Sequence, residues 1–223
     1  MRKITITGSE GLIGKELCKF FKNDIVNKLD IQLDHDLTDE SFVKNWFKKN
    51  PTDYLINCFA INDHIDKKKS KKTLFDVPLE QFSTYMDVNL TSLFSVCRQF
   101  AKYNKKGAIV NFSSTYGLVS PNPLIYGGAH KDIGYGVSKA GVINLTKFLA
   151  VHLAPKIRVN CVIPGGISFN QTTSFKNKYS KPTPMKRMMK KTELNHMIDL
   201  LCSKNSSYVT GASIVVDGGY SIW

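Results

Sequence analysis

Short apolar segments and amphipathic helical segments alternate along this 223-residue chain from its first residues. Six of the apolar segments have the length and composition of buried strands. They cover residues 4–7, 25–30, 54–58, 108–112, 158–163 and 213–216. Strands that alternate with helices are joined by right-handed crossovers, which produce a mostly parallel sheet covered by helices on both faces. We therefore predict an α/β fold with a doubly wound, mostly parallel sheet.

Helical patterns fill the intervals between these strands. The predicted helices cover residues 11–21, 40–49, 79–103 and 134–153, and a fifth pattern places Leu194, Met197, Ile198 and Leu201 on one helix face. Either Thr38 or Asp39 would be the N-cap of the second helix. Because no linker or repeat interrupts the alternation, we predict a single domain over residues 1–223. The less regular regions, residues 61–77, 116–133 and 168–191, should gather at the carboxyl ends of the strands, where ligands bind.

Composition excludes several classes of protein. A hydrophobic content of 42% is enough for a sizeable core, and no apolar run is long enough to cross a bilayer. The strand pattern begins at the N-terminus and leaves no room for a signal peptide, so we expect a cytoplasmic protein without membrane association. The five cysteines lie far apart, with no CxxC pair and no histidine at ligand spacing. Reduced thiols and no metal site are therefore expected.

The formal net charge of +13 is open to more than one interpretation. It would suit nucleic acid, an acidic membrane face or an anionic small molecule, and a lysine-rich solvated surface is the simpler alternative. Lysines are densest at residues 67–72 and 176–191. Neither cluster is interleaved with the aromatic residues that stack on bases. We therefore expect a small-molecule substrate and no nucleic-acid partner.

A glycine-rich turn follows the first predicted strand and opens the first predicted helix. A pyrophosphate needs close backbone approach, free N–H groups and the positive end of a helix dipole, which such a turn provides. An acidic residue at the end of the next strand completes the context of a Rossmann-type dinucleotide site. The predicted contacts from this turn are Gly8, Ser9, Gly11, Leu12, Ile13 and Gly14.

The acidic residue is Asp30, 22 residues beyond Gly8. A carboxylate at this position accepts the ribose hydroxyls of NAD and repels the 2′-phosphate of NADP. No arginine flanks it, and Lys28 is expected on the other face of the strand, so NAD is favoured over NADP. A turn role at the strand end is the alternative for Asp30. Asp36 and Leu37 could flank the adenine, although a simple loop role fits Asp36 equally well.

A second motif places Tyr135 and Lys139 four residues apart, on one face of a helix. A tyrosine that exchanges a proton near neutral pH needs a pKa well below its usual value near 10. The adjacent ammonium group, aided by the positive nicotinamide ring, is expected to lower the pKa of Tyr135. Ser114, at the end of the fourth predicted strand, could hold the substrate oxygen against the phenol.

Together these motifs resemble those of the short-chain dehydrogenase/reductase family, and the resemblance runs from residue 3 to residue 223. It implies that Tyr135 is the proton donor or acceptor and that Ser114 orients the substrate. Lys139 would bind the nicotinamide ribose, and Asn89 would support a water that relays protons to Lys139. Members of the family commonly form homodimers or homotetramers.

The resemblance also extends the predicted cofactor site. It adds Asn57 after the third strand, and it implies that the backbone of Ile167 meets the nicotinamide carboxamide. The cofactor contacts that it implies beyond the glycine turn are Asn57, Tyr135, Lys139, Pro164, Gly165 and Ile167.

Several departures from the family pattern are informative. Leu12 stands where the single-domain branch usually has its second glycine, and the spacing here resembles the extended branch, which acts largely on nucleotide sugars. Ser114 and Tyr135 are 21 residues apart, a longer interval than usual, and the inserted residues 120–131 should border the substrate. Phe169 replaces a threonine that often contacts the cofactor. The short length and the closing residues 216–219 still favour the single-domain branch.

The sequence constrains the substrate less than it constrains the fold or the cofactor. Residues 113–117, 125–126, 164–167 and 170–171 resemble oxidoreductases of bacterial surface-polysaccharide and flagellin-glycan sugar synthesis. Residues 168–191 should form a lid, whose lysines would either favour an anionic substrate or be simply solvated. The leading hypothesis is an NAD(H)-dependent oxidoreductase that interconverts an alcohol and a carbonyl on a phosphorylated or nucleotide-activated sugar.

Two alternatives remain open. One is a reductase of the same family that acts on an acyl thioester, a polyol or a steroid. The other is a non-catalytic NAD(H)-sensing protein, although such a sensor has no need of Ser114, Tyr135 and Lys139.

Overall fold

The computed structural model describes residues 1–62, 74–126 and 130–223. Within these residues, six parallel strands form one sheet in the order β2-β1-β3-β4-β5-β6. The strands are β1 (Lys3–Thr7), β2 (Ile25–Leu29), β3 (Tyr54–Asn57), β4 (Gly107–Phe112), β5 (Ile157–Pro164) and β6 (Ser213–Val216). The predicted α/β fold with a parallel, doubly wound sheet is confirmed, and the strand ends differ from the predicted ones by one residue at most.

The strand order reverses at β1. The chain passes from β1 to the edge strand β2 and then crosses to β3 on the other side of β1. A crevice forms outside the carboxyl ends of parallel strands at such a reversal, and dinucleotides bind there in doubly wound sheets. The glycine turn follows β1 and Asp30 follows β2, so both lie at this crevice.

Helices cover both faces of the sheet. They are α1 (Leu12–Phe20), α2 (Glu40–Lys49), α3 (Leu79–Met86), α4 (Ser92–Tyr103), α5 (Ile133–Leu153), α6 (Thr173–Ser180) and α7 (Asn195–Leu201). Asp39, one of the two predicted N-caps of α2, accepts hydrogen bonds from the amides of Ser41 and Phe42. None of the helices in the described part of the chain is long and apolar enough to cross a membrane.

The helix predicted at residues 79–103 is interrupted. A π-helical turn, Asp87–Thr91, separates α3 from α4. This turn carries Asn89, whose side chain hydrogen-bonds both the amide and the carbonyl of Ile61. A tertiary contact of this kind is invisible to helical periodicity, which explains why a continuous helix was predicted.

The alternation of side chains along the strands builds two apolar layers. In β4, Ile109 belongs to the layer beneath α2, α4 and α5, whereas Val110 faces the layer beneath α1 and α7. Successive residues of a strand point to opposite faces, so an almost entirely apolar strand is buried on both sides. The lysine cluster at residues 67–72 lies outside the described residues.

Candidate active site

The turn after β1 brings backbone atoms unusually close together. Gly8 has a φ of +66°, and a Cβ at this position would lie 2.5 Å from the backbone nitrogen of Phe59. A Cβ on Gly14 would lie 2.1 Å from the carbonyl oxygen of Gly8. Glycine is therefore required at both positions, and α1 starts in direct contact with the turn.

The N-terminus of α1 offers unpaired donors. Gly11 is its N-cap and provides no side-chain cap, and the first turn contains no acidic residue. The first amides of a helix have no intrahelical partner and carry the positive end of the dipole. Close by, the hydroxyl of Ser9 is fully buried and has no hydrogen-bond partner among the residues of the structure. These features fit the pyrophosphate of a dinucleotide.

Asp30 connects the end of β2 to the glycine turn. Its carboxylate accepts hydrogen bonds of 2.9 Å from the backbone amides of Glu10 and Gln32, and it caps the short 3-10 helix Ile31–Leu33. The turn role considered for Asp30 is therefore present. Each carboxylate oxygen can accept a second hydrogen bond, so the group can still receive a ribose hydroxyl.

The expectation for Lys28 was wrong. Residues two apart on a strand share a face, and the Lys28 ammonium lies on the side of Asp30, 3.4 Å from the carboxylate of Glu10. Glu10 also pairs with Lys15, so its single negative charge offsets part of the charge of both lysines. The carboxylate of Asp30, and not the direction of Lys28, is therefore the feature of this site that favours NAD over NADP.

The side chains of Asp36 and Leu37 are engaged within the protein. Asp36 accepts hydrogen bonds from the amide and the hydroxyl of Thr38, and these bonds lower the pKa of its carboxyl group. Leu37 is buried in the core layer beneath α2. This geometry supports the loop role that was considered for Asp36.

The side chain of Asn57 is buried and forms hydrogen bonds with both neighbouring strands. Its side-chain oxygen accepts a hydrogen bond from the Thr7 hydroxyl, and its side-chain nitrogen donates to Asn111 at 2.9 Å. These bonds connect β1, β3 and β4 below the crevice. Any contact between Asn57 and a dinucleotide would therefore use its backbone.

The structure brings Tyr135, Lys139 and Ser114 together. Tyr135 and Lys139 lie one turn apart on the buried side of α5, with the ammonium nitrogen 5.9 Å from the centre of the phenol ring. Ser114 follows β4, and its hydroxyl hydrogen-bonds the phenol of Tyr135. The three side chains meet at the carboxyl end of β4.

The protonation of this group differs from the sequence-based expectation. Burial raises the pKa of Tyr135, and the hydrogen bond from Ser114 opposes this rise. The Lys139 ammonium donates to the carbonyl of Phe112 at 2.9 Å, not to the phenol, and burial lowers the pKa of Lys139 to about 8. In the protein without its cofactor, the pKa of Tyr135 is therefore raised and not lowered as predicted.

Asn89 acts on α5 through its side chain. Its amide nitrogen donates to the hydroxyl of Ser138 at 3.1 Å, and that hydroxyl donates to the carbonyl of Tyr135. The same side chain accepts a hydrogen bond from the amide of Ile61 and donates one to its carbonyl. The side chain thus fixes the helix segment between Tyr135 and Lys139.

The segment after β5 passes the same crevice. The strand ends at Pro164, and the amide of Gly165 donates to the carbonyl of Val216 at 2.9 Å. The carbonyl of Ile167 accepts a hydrogen bond of 2.9 Å from the side chain of Gln171. Gln171 also accepts from the amide of Phe169. Gln171 thus holds the turn that contains Phe169, the residue that stands in place of the threonine discussed above.

Residues 168–191 contain a helix and buried side chains. Tyr179 of α6 accepts a hydrogen bond from the Gly166 amide at 2.6 Å and stacks on Tyr220 at 4.7 Å. With Tyr116, Tyr126 and Phe175 these two rings form an aromatic cluster. A cavity of about 300 Å³ lies beside it, at the carboxyl ends of β5 and β6.

Several cations of this segment are engaged locally. Lys176 and Lys186 donate to the backbone carbonyls of Phe169 and Lys181, and Arg187 pairs with Glu193. Local capping therefore explains part of the lysine content there. Over the described ranges, no group of three His, Cys, Asp or Glu residues could hold a metal ion.

Sequence reasoning did not identify Tyr85 or Lys131. The buried ring of Tyr85 meets that of Tyr135 edge-on, with centroids 6.4 Å apart. The Lys131 ammonium lies 4.9 Å from the centre of the Tyr135 ring. Neither residue belongs to a motif, and only the fold brings α3 and the start of α5 together.

Comparison with known proteins agrees with this geometry. A family model described as enoyl-(acyl carrier protein) reductase matches residues 14–221. The chain belongs to the short-chain dehydrogenase/reductase family. It is therefore an oxidoreductase, and the resemblance seen in the sequence is confirmed.

Individual relatives cover nearly the whole chain. A 3-oxoacyl-(acyl carrier protein) reductase of Aquifex aeolicus is 31% identical and covers 97% of this chain and 86% of that protein. The post-translational flagellin modification protein A of Campylobacter coli is 29% identical and covers 98% of both chains. A match at 35% identity to a reductase of Chlamydia muridarum spans only 56% of that protein.

The fold also matches that of a solved family member. A short-chain dehydrogenase of Leptospira borgpetersenii, solved with bound NAD+, superposes with a TM-score of 0.82. It is 31% identical, and the match covers 98% of this chain and 92% of that chain.

Proposed function

We propose that this oxidoreductase interconverts an alcohol and a carbonyl with NAD(H), and that Tyr135 is its general acid and base. The observation that carries the proposal is the meeting of Tyr135, Ser114 and Lys139 at the carboxyl end of β4, beside the crevice. A buried phenol with a serine hydroxyl and an ammonium group within reach can hold a substrate oxygen and exchange its proton.

The residues around the crevice suit NAD. The glycine turn and the free amides of α1 would bind the pyrophosphate, and Asp30 would accept the adenosine ribose. The backbone of Ile167 would meet the carboxamide, with Pro164 and Gly165 shaping the approach. When bound, NAD+ accepts a hydride and NADH donates one. The NAD+ complex of the Leptospira relative supports this assignment.

Each side chain at the reaction centre has a distinct task. The phenol of Tyr135 gives a proton to a carbonyl oxygen or takes one from an alcohol. The hydroxyl of Ser114 orients that oxygen. Lys139, with a pKa of about 8, is mostly an ammonium group at neutral pH and favours the phenolate. Asn89 keeps this segment of α5 in place through Ser138.

We propose a phosphorylated or nucleotide-activated sugar as the substrate, with residues 168–191 as its lid. The match to a flagellin modification protein over 98% of both chains supports this class, as do the rings and hydroxyls of the aromatic cluster. The alternative is an acyl thioester, which the match to the Aquifex reductase favours. For either substrate the enzyme would work in the cytoplasm.

A substrate panel separates these possibilities. Sugar phosphates, nucleotide sugars, neutral sugars and an acyl thioester are each incubated with the enzyme and NAD+ or NADH, and NADH absorbance is followed. Turnover confined to activated sugars supports the proposal, and turnover confined to the thioester supports the alternative. Tight NADH binding with no turnover on any compound would favour an NAD(H) sensor.

The enzyme is also proposed to be a homodimer or homotetramer. Helix α5 leaves Phe148 and Val151 62% and 78% exposed, although it is the longest helix described and packs along the sheet. An exposed apolar strip of this kind commonly marks an interface. Light scattering after gel filtration gives the mass directly, and a monomeric mass would contradict this part of the proposal.

A further inference from the structure

A second lysine, Lys131, lies against the ring of Tyr135. Lys131 precedes the phenol by four residues and Lys139 follows it by four. The Lys131 ammonium nitrogen is 4.9 Å from the centre of the Tyr135 ring, closer than the 5.9 Å of Lys139. Two cations therefore bracket the buried phenol.

The surroundings hold Lys131 in this place. Its ammonium group donates a hydrogen bond to the side-chain oxygen of Asn62, which follows β3. The next residue, Asp132, caps α5 by accepting from the amide of Gly134 at 2.8 Å. The backbone that carries Lys131 is thus fixed at the start of the helix.

The charged groups around Tyr135 favour its ionised form. Lys131 and Lys139 are the two cations, and the carboxylate of Asp132, which accepts hydrogen bonds from Gly134 and Gln81, opposes them with a single negative charge. Other described neighbours are the ring of Tyr85, the phenol of Tyr126 and the hydroxyl of Ser114. A cation near a ring attracts a phenolate more strongly than a neutral phenol.

We propose that Lys131 is a positioning residue that acts through Tyr135, because its ammonium group stabilises the phenolate against the effect of burial. This inference rests on the proposed role of Tyr135 as acid and base. It assigns part of the activation to a residue outside the tyrosine–lysine motif, which explains how a phenol buried this deeply can exchange a proton.

The test is a titration of Tyr135 in the full-length enzyme saturated with NAD+. Tyrosine labelled with ¹³C at Cζ reports ionisation of each phenol by NMR, and the spectrum of Tyr135→Phe identifies the relevant signal. The titration is carried out on the wild type, Lys131→Gln and Lys131→Arg. Lys147→Gln is the matched control, since Lys147 is exposed on α5 about three turns beyond Tyr135.

In Lys131→Gln the midpoint of the Tyr135 titration should rise by about 1 pH unit. A larger shift is not expected, because Lys131 is partly exposed and water weakens its effect on the phenol. Lys131→Arg should restore the wild-type midpoint, and Lys147→Gln should leave it unchanged. Equal midpoints in wild type and Lys131→Gln would overturn the inference. So would a phenol that stays protonated in every variant until the protein unfolds. The proposed function is judged separately, by the turnover of Tyr135→Phe.

Discussion

The ammonium group of Lys139 lies 5.9 Å from the centre of the Tyr135 ring and donates a hydrogen bond to the carbonyl of Phe112 at 2.9 Å. Lys139 is 4% exposed, so this charge is almost completely removed from water. Its single described hydrogen bond to the protein does not replace full hydration, and burial lowers its pKa to about 8. The buried charge of Lys139 therefore reduces the stability of the fold, while it places an ammonium group beside the phenol of Tyr135.

Replacing Lys139 by methionine should therefore stabilise the fold while abolishing turnover. The folded-state pKa is below the unfolded value of 10.5, so the unfolded state binds more protons between pH 8 and 10.5. The contribution of Lys139 to wild-type stability thus rises with pH through this range. We expect the variant to be more stable by about 1–3 kcal/mol at pH 7, with the difference shrinking towards pH 10.5. Urea denaturation at several pH values measures it, and a pH-independent difference would contradict the assignment.

Gly8→Ala should destabilise the protein and weaken NADH binding. A left-handed φ is unfavourable for alanine, and the new Cβ would collide with the backbone of Phe59. We expect a loss of at least about 2 kcal/mol in thermal or urea denaturation. Gly11→Ala is the matched control, because its Cβ would lie 3.2 Å from the Gly8 carbonyl at an ordinary φ, with a loss below about 1 kcal/mol. A loss of stability in Gly8→Ala no larger than that in Gly11→Ala would show that position 8 tolerates a side chain.

Asp30→Ala should weaken NAD binding about 10- to 100-fold and leave NADP binding unchanged or improved, since a charge-assisted hydrogen bond to ribose is lost and a repulsion is removed. Fluorescence titration with NADH and NADPH gives both constants. Asp36→Ala is the control, because that carboxylate is held by Thr38 in a loop turn. If the ratio of the dissociation constants for NADH and NADPH stays the same, Asp30 does not bind the adenosine ribose.

The sheet could be predicted from the sequence because its signal is local. A strand such as β4 is apolar at every position except Asn111 and lies between polar turns, so its length and ends are evident. The glycine turn and the pair Tyr135 and Lys139 were also recognisable, since their spacing is a property of one strand-to-helix turn and of one helix.

The features that were missed depend on contacts between distant segments. The π turn at Asn89 exists where Ile61 supplies hydrogen-bond partners, and the position of Lys131 depends on Asn62, which is far away in the sequence. The protonation of Tyr135 could not be predicted because spacing reports the nearby charge and not the depth of burial. Lys28 was misplaced by an error of strand geometry, not by missing information.

Ser114→Ala should lower kcat about 100-fold with little change in NADH affinity, because the hydroxyl that orients the substrate oxygen is lost. Its neighbour Ser113 is the control, as its hydroxyl donates to the backbone carbonyl of Lys139 at 2.7 Å. Ser113→Ala should therefore cost about 1 kcal/mol of stability. Steady-state kinetics and denaturation of both variants distinguish the two roles, and a Ser114→Ala enzyme with normal kcat would remove Ser114 from the reaction.

The most direct test of the account is the turnover of Tyr135→Phe on a substrate that the wild type accepts, with NADH affinity measured on the same preparation. Phenylalanine keeps the ring beside Tyr85 and removes only the hydroxyl that exchanges the proton. The account predicts a fall in kcat of about 100- to 10,000-fold with NADH affinity nearly unchanged. A variant that turns over at the wild-type rate would contradict it.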